Sequence, residues 1–240
     1  MTSIDETAGA AGAMQRFAGE ERAMREAIAA WARARWPDVR IIHELVCDEC
    51  RIDMAFVRAN DLIGVEIKSS RDSLDRLDRQ IGTFARRIPE VWIAVAPRWE
   101  KKLRARRSGE GYRRAGTLIV ADGRVREARA AERDELVIMQ MLDWLWQSEA
   151  ARIAQRTEVI PGVTPTRAPL RKIRPMLARL LTGNEIIREV CTELRARPAF
   201  GMQSDRPVRG LLGPADRRPA LALRPVGKTV PRPAPDRQFS

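Results

Sequence analysis

Arg51-Ile52-Asp53-Met54-Ala55-Phe56-Val57, followed after a short link by Gly64-Val65-Glu66-Ile67-Lys68-Ser69-Ser70, is the stretch on which the fold turns. Both runs are apolar and rich in branched residues, so Arg51–Val57 and Leu62–Lys68 read as strands, with Arg58–Asp61 as a tight antiparallel link. Side chains alternate across a strand, which puts Glu66 and Lys68 on one face and Val65 and Ile67 on the other. Pairing the two strands sets Asp53 beside Glu66. Strand interiors normally exclude Asp, Glu and Lys. Two adjacent carboxylates repel, and a hard cation such as Mg²⁺ or Mn²⁺ would hold them ionised through oxygen ligands. Such an ion lowers the pKa of water and neutralises charge on a phosphate. Lys68, when protonated, is no ligand; it would orient the attacking water or stabilise the charged transition state. A Glu-x-Lys tripeptide alone is common and reads as a half-exposed sheet face. An Asp inside an apolar strand, a short loop and a second strand ending in Glu-x-Lys are much rarer together.

Outward from this pair, Ile41–Val46 reads as a first strand, linked through Asp48-Glu49. Before it, Met14, Phe17, Met24, Ile28 and Trp31 fall at helical spacing, with Glu21 towards the edge of the stripe and Pro37 as the stop. Ser70–Ile88 reads as a helix with Leu74, Leu77, Ile81, Phe84 and Ile88 on one face and Asp72 and Ser73 as caps. Val91–Ala96 is wholly apolar and reads as a central buried strand. Thr117–Ala121, an Asp122-Gly123 turn and Val125–Ala128 read as a hairpin. Asp134 to about Arg156 reads as one amphipathic helix. This order of elements predicts an α/β core with a mixed central sheet flanked by helices.

The same residues carry a family resemblance. Glu44, Arg51-Ile52-Asp53, Gly64-Val65-Glu66-Ile67-Lys68-Ser69-Ser70 and then Asp72, Arg76-Leu77 and Gln80 resemble the PD-(D/E)xK nuclease superfamily, in particular small bacterial MmcB-like DNA-repair proteins and related uncharacterised nuclease-like families. The resemblance runs from about Phe17 to Ala130. Ile52 stands where the superfamily name has Pro, and Phe84 where RecB-like members carry tyrosine. The resemblance implies a restriction-endonuclease-like core. It implies that Asp53 and Glu66 bind Mg²⁺ or Mn²⁺ together with the Ile67 carbonyl and Glu44. It implies Lys68 as the catalytic lysine and Gln80 as an active-site glutamine. The implied activity is hydrolysis of phosphodiester bonds in DNA, in repair, recombination or mobile-element biology. A non-cleaving nucleic-acid-binding module of the same fold and an RNA-directed nuclease are the alternatives.

Composition agrees with a polyanionic partner. The 240 residues hold 44 Lys and Arg against 32 Asp and Glu, a formal net charge of +12, which favours nucleic acid over a neutral partner. Arginine dominates and pairs with phosphate as a bidentate fork. Taking Leu77 as the centre of its helix face, Arg76, Gln80 and Arg87 share a flank that would meet a phosphate backbone. Lys101, Lys102 and Arg104 lie in the basic segment Arg98–Arg114, where Trp99 and Tyr112 would either stack on bases or sit in a solvated loop. The single histidine, His43, leaves carboxylates and lysine as the catalytic groups. Cys47-x-x-Cys50 with His43 reads either as half of a zinc site or as two cysteines facing each other across a tight turn, and with Cys191 as the one other cysteine the four ligands of a structural site are not met. No apolar run approaches the roughly 18–20 residues of a membrane span, and residues 1–12 lack the features of a signal peptide; a cytoplasmic setting is expected.

The expected organisation is a disordered leader (1–12), a nuclease-like domain (13–156), a proline-rich linker (157–169), a small helical appendage (170–196) and a disordered basic Arg/Pro-rich tail (197–240). In the appendage, Gly183 would end one helix and Asn184 cap the next, and Pro175 would delay or kink the first. The pair reads either as a helix-turn-helix reader or as helices packed on the core. The C-terminal region is the expected contact for a second copy or another protein.

Overall fold

The computed structural model describes residues 19–47, 50–106, 110–158 and 168–197. The expected leader, the linker from 159 to 167 and the tail beyond Arg197 lie outside them, as do Met14, Phe17 and the side chains of Cys47 and Cys50. Helix α1 (Gly19–Arg35) leads into strands β1 (Arg40–Cys47), β2 (Cys50–Arg58) and β3 (Asp61–Lys68). Helix α2 (Leu77–Phe84) precedes β4 (Glu90–Val95). A 3₁₀ turn (Pro97–Trp99), α3 (Glu100–Ala105) and α4 (Glu110–Arg114) lead to β5 (Gly116–Ala121) and β6 (Arg124–Arg129). A 3₁₀ segment (Glu135–Trp144) and helices α5 (Gln147–Arg156), α6 (Leu170–Leu180) and α7 (Gly183–Arg195) complete the order.

The strands form one six-stranded mixed sheet in sequence order. β1–β2, β2–β3 and β5–β6 are antiparallel; β3–β4 and β4–β5 are parallel. A parallel pair needs a crossover, which α2 supplies between β3 and β4, and α3 with α4 between β4 and β5. β3 and β4 are buried almost end to end, as strands covered on both faces must be. Asp122 and Gly123 both take positive φ, 51° and 71°, the conformation that a tight hairpin turn demands.

Helix α1 covers one face, packing Met24, Ile28 and Ala32 on Met54, Phe56 and Trp92. All the later helices lie on the other face in a single second core. α6 and α7 belong to that core through Ile173, Leu177, Ile186, Val190 and Leu194, so the pair is a layer of the fold rather than a unit standing apart. Ion pairs fasten it. Glu149 and Arg197, each 2% exposed along the side chain, bond through Arg197 Nε at 2.7 Å. Arg152 and Arg156 of α5 reach Glu193 and Glu189 of α7.

Three elements differ from the sequence expectation. The helix expected over 70–88 is only Leu77–Phe84, because the Ser69 amide and hydroxyl both bond to Asp72 at 2.7 Å and Ser73 bonds to Asp75. Such side-chain turns compete with helix. Arg76, without a side-chain cap bond, stands at the helix N-cap instead of Asp72 or Ser73. The helix expected over 134–156 breaks at Leu145-Trp146, where the Trp144 indole donates to the Arg87 carbonyl at 2.9 Å and Arg197 donates to the Trp144 carbonyl at 2.6 Å. The cap of α7 is Thr182, in a reciprocal box with Glu185, rather than Asn184; the box satisfies two otherwise unpaired amides.

Gly64 lies on β3 where strand and helix layers are tightest. A Cβ there would stand 2.3 Å from Ile52 Cδ1 and 2.8 Å from Ile88 Cδ1. Gly64→Ala is therefore expected to destabilise the protein by about 1–3 kcal/mol through overpacking, read as a lowered midpoint in chemical denaturation; an unchanged midpoint would mean that these two side chains yield freely.

Candidate functional site

The site forms where β2 and β3 part. Their ladder runs from Arg58↔Asp61 to Met54↔Val65 and stops there. The next rung would pair Asp53 with Glu66. Instead, the Asp53 carboxylate takes the place of a backbone acceptor: its Oδ2 accepts the Ile67 N–H at 2.8 Å. The rung across β1–β2 is missing at the same level, between His43↔Met54 and Leu45↔Ile52. There Glu44 adopts a φ of +58°, rare for a residue with a Cβ. Alternation slips on both strands at this rung. Ile42 and Leu45, three residues apart, share one core layer, and so do Ile52 and Ala55, whereas regular strand residues three apart face opposite sides.

Glu66 and Lys68 lie on the α2 side of the sheet. Glu66 is 1% exposed. Its Oε1 accepts from Lys68 Nζ at 2.7 Å and from Gln80 Nε2 of α2. Its Oε2 is buried without a hydrogen-bond partner among the described residues. Burial, and then the nearby Asp53 charge, raise the Glu66 pKa; Lys68 and Gln80 pull it down. Burial likewise raises the Asp53 carboxyl, against the pull of the Arg25 guanidinium and the Ile67 amide.

The loop after β3 is pinned from two elements. Glu20 of α1 accepts from the Ser70 amide at 2.9 Å, and Arg98 donates to the Ser70 carbonyl at 2.7 Å. The Trp99 indole donates to the Ser69 carbonyl at 2.9 Å.

Asp53, Glu66, Lys68 and Gln80 thus come together, while Glu44 departs from the expected ligand set. Its carboxylate is held by Arg25 Nη2 at 2.7 Å and by Arg51 Nε at 2.7 Å, because its left-handed backbone turns the side chain towards α1. Among the described residues no three His, Cys, Asp or Glu side chains are clustered as a ready metal cage. The chemistry still fits one divalent ion. Two carboxylates repel each other here, and a buried, unpartnered carboxylate oxygen such as Glu66 Oε2 is costly unless a cation meets it. Of Ile67, the structure shows the amide bound to Asp53; its carbonyl remains an expectation from the resemblance.

The expected phosphate contacts divide. Arg76 and Lys101 are exposed. Lys102 lies 5.4 Å from the Trp99 ring centroid, and Arg104 bonds to Glu100 at 3.2 Å. Arg87 falls beyond the end of α2, where its Nε lies 3.7 Å from Asp143 Oδ2, and so does not share a helical flank with Gln80. Trp99 and Tyr112 are buried, 9% and 5% exposed. They pack the basic segment onto the core and are not available to stack on bases.

Sequence reasoning missed Arg25. It is 1% exposed and reaches Glu21, Glu44 and Asp53 together. Glu21, read as an edge residue, bonds to it at 2.8 Å. The signal was available: Glu21 and Arg25 are one helical turn apart, and Arg25 follows Met24 and precedes Ile28 in the buried stripe.

The family model described as bacteriophage P4 protein cII matches residues 17–197. The chain belongs to this family. The match ends at Arg197, the residue that closes the buried pair with Glu149. No curated protein matches the chain. A solved structure of a protein of unknown function from Silicibacter pomeroyi is similar over 61% of this chain and 97% of that chain, at 17% identity and a TM-score of 0.40. No helix among the described residues is long and apolar enough to cross a membrane.

The raised Glu66 pKa has a consequence for stability. A carboxyl raised in the folded state stabilises the protein while protonated, and that contribution is lost as pH rises through the folded value. In EDTA, stability is expected to fall as pH climbs above the ordinary glutamate value of 4.5, and Glu66→Gln should flatten the fall. Urea melts across pH measure this; an identical slope in the variant would show that Glu66 titrates as an exposed acid.

Proposed function

We propose that this protein hydrolyses phosphodiester bonds in DNA with the help of Mg²⁺ or Mn²⁺, on a restriction-endonuclease-like core of the PD-(D/E)xK type. One observation carries the proposal: Asp53, Glu66, Lys68 and Gln80 meet where two strands part, with Glu66 Oε2 buried and unpartnered. Asp53 Oδ1 and Glu66 Oε2 are the oxygens that would hold the ion, with the Ile67 carbonyl as a further ligand. The ion, when bound, supplies positive charge for the scissile phosphate and lowers the pKa of water.

The remaining roles belong to the chain's own residues. Gln80 and Lys68 fix one oxygen of Glu66, which orients the other. The Ile67 amide does the same for Asp53. The Lys68 ammonium, 2.7 Å from Glu66, would stabilise charge that develops on the phosphate. Arg76, Lys101, Lys102 and Arg104 would bind the backbone without reading sequence. The net charge of +12 supports a nucleic-acid partner, and a family named for a bacteriophage protein fits a mobile-element, recombination or repair setting in the cytoplasm.

A second reading has its own support. Arg25 already lies 2.7 Å from Glu44 and 3.5 Å from Asp53, a counter-charge that a site binding nucleic acid without a metal would use.

The test is incubation of the full chain with supercoiled, linear, single-stranded and flapped DNA, and with RNA, in Mg²⁺, Mn²⁺ or EDTA. Metal-dependent cutting of DNA is expected, falling by about 100-fold or more in Asp53→Ala and in Lys68→Ala. Binding without cutting on any substrate would establish the second reading, and cutting confined to RNA would change the substrate class.

A further inference from the structure

Arg25 is a buried charge, 1% exposed, with polar partners on three elements. Its Nε and Nη2 donate to Glu21 Oε1 at 3.0 and 2.8 Å. Nη2 also reaches Glu44 Oε1 at 2.7 Å and Asp53 Oδ1 at 3.5 Å. Nη1 donates to the Asp53 carbonyl at 2.5 Å and lies 3.4 Å from His43 Nδ1. A charge so deeply buried persists only when its pairing is this complete. The planar guanidinium suits the task, since its fork of donors meets several carboxylates at fixed angles.

Phosphodiester-cleaving sites that use two divalent ions hold them about 3.5–4 Å apart as a clamp on the attacking and leaving oxygens. Here the acidic groups nearest Asp53 on the α1 side, Glu44 and Glu21, are already bound to a cation that the chain carries itself. The other side of Asp53 differs: Glu66 offers an oxygen with no partner among the described residues.

We infer that Arg25 stands where a second metal ion would otherwise sit, so that the site takes a single divalent ion, shared by Asp53 and Glu66. The inference rests on the metal-dependent reading of the site and adds the ion count to it. Arg25 is a positioning residue. It holds Asp53 for the ion and keeps Glu44 and Glu21 from recruiting another.

Titration of the full chain with Mn²⁺, with free ion read by electron paramagnetic resonance, tests this without any substrate. One ion per chain is expected for the wild type. Asp53→Asn should weaken its binding by about tenfold or more, as loss of a direct ligand does, whereas Glu44→Gln should leave the affinity within about threefold. Arg25→Met, if circular dichroism shows it folded, should take up two ions, because Glu21 and Asp53 lose their counter-charge and Glu44 keeps only Arg51; Arg25→Lys should remain at one. Two ions in the wild type would overturn the single-ion assignment, and one ion in a folded Arg25→Met or a tenfold loss in Glu44→Gln would overturn the role given to Arg25; all three leave the nuclease reading intact. A wild type that binds no Mn²⁺ would overturn that reading as well.

Discussion

Charge has to be kept where β2 and β3 separate, and the surrounding structure is arranged to allow it. Asp53 and Glu66 lie beneath helices on either side of a sheet, where ionised carboxylates are disfavoured by burial and by each other. Each partner comes from a different element. Arg25 arrives from α1 across one face, Lys68 from β3 itself and Gln80 from α2 across the other face. Neither helix can move without loosening a carboxylate, so the packing of both layers is coupled to the geometry of the site. The left-handed backbone at Glu44 follows from the same demand. A non-glycine residue in that conformation costs about 1–3 kcal/mol, and its carboxylate gains two guanidinium partners in return.

The far end of the α2-side layer repeats the principle. Glu149 is buried against Arg197, whose guanidinium also lies 4.1 Å from the Trp146 ring centroid. A buried pair of this kind stabilises little by itself compared with an apolar contact, yet breaking it by removing one member is costly. It ties the end of α7 to the start of α5, and the Trp144 carbonyl to the same guanidinium. The family match extends through these helices, in keeping with their burial in one core.

Much of the fold was legible because period and polarity agree. The uninterrupted apolar runs at Leu62–Ile67 and Val91–Ala96 announced central strands, and Asp122-Gly123 announced its hairpin. The placement of Glu66 and Lys68 on one face followed from alternation; Asp53 was expected beside Glu66 by antiparallel pairing, but that rung is missing and the Asp53 carboxylate reaches β3 through the Ile67 amide instead. Helix lengths were less legible. Leu74 and Ile88 are buried at helical spacing from Leu77 and Phe84, yet both lie outside the helix: side-chain bonds from Ser69 and Ser73 settle the turn before it, and the helix ends at Phe84, short of Ile88. Trp99 and Tyr112 could serve a surface or a core, and only the packing of α3 and α4 on the sheet decided for the core.

The sequence by itself determined which chemistry is available: two carboxylates, a lysine and a glutamine at spacings that strands and a helix convert into neighbours. That is local information, carried by a period of two along β3 and one turn of α2. The tertiary structure alone decided which acids belong to the site and which are already paired. Arg25 and Glu44 are distant in the chain, and a buried arginine runs against the usual partition of charge. No periodicity shows that one guanidinium will fill the space between α1 and the parted strands, because that space exists only once both are in place.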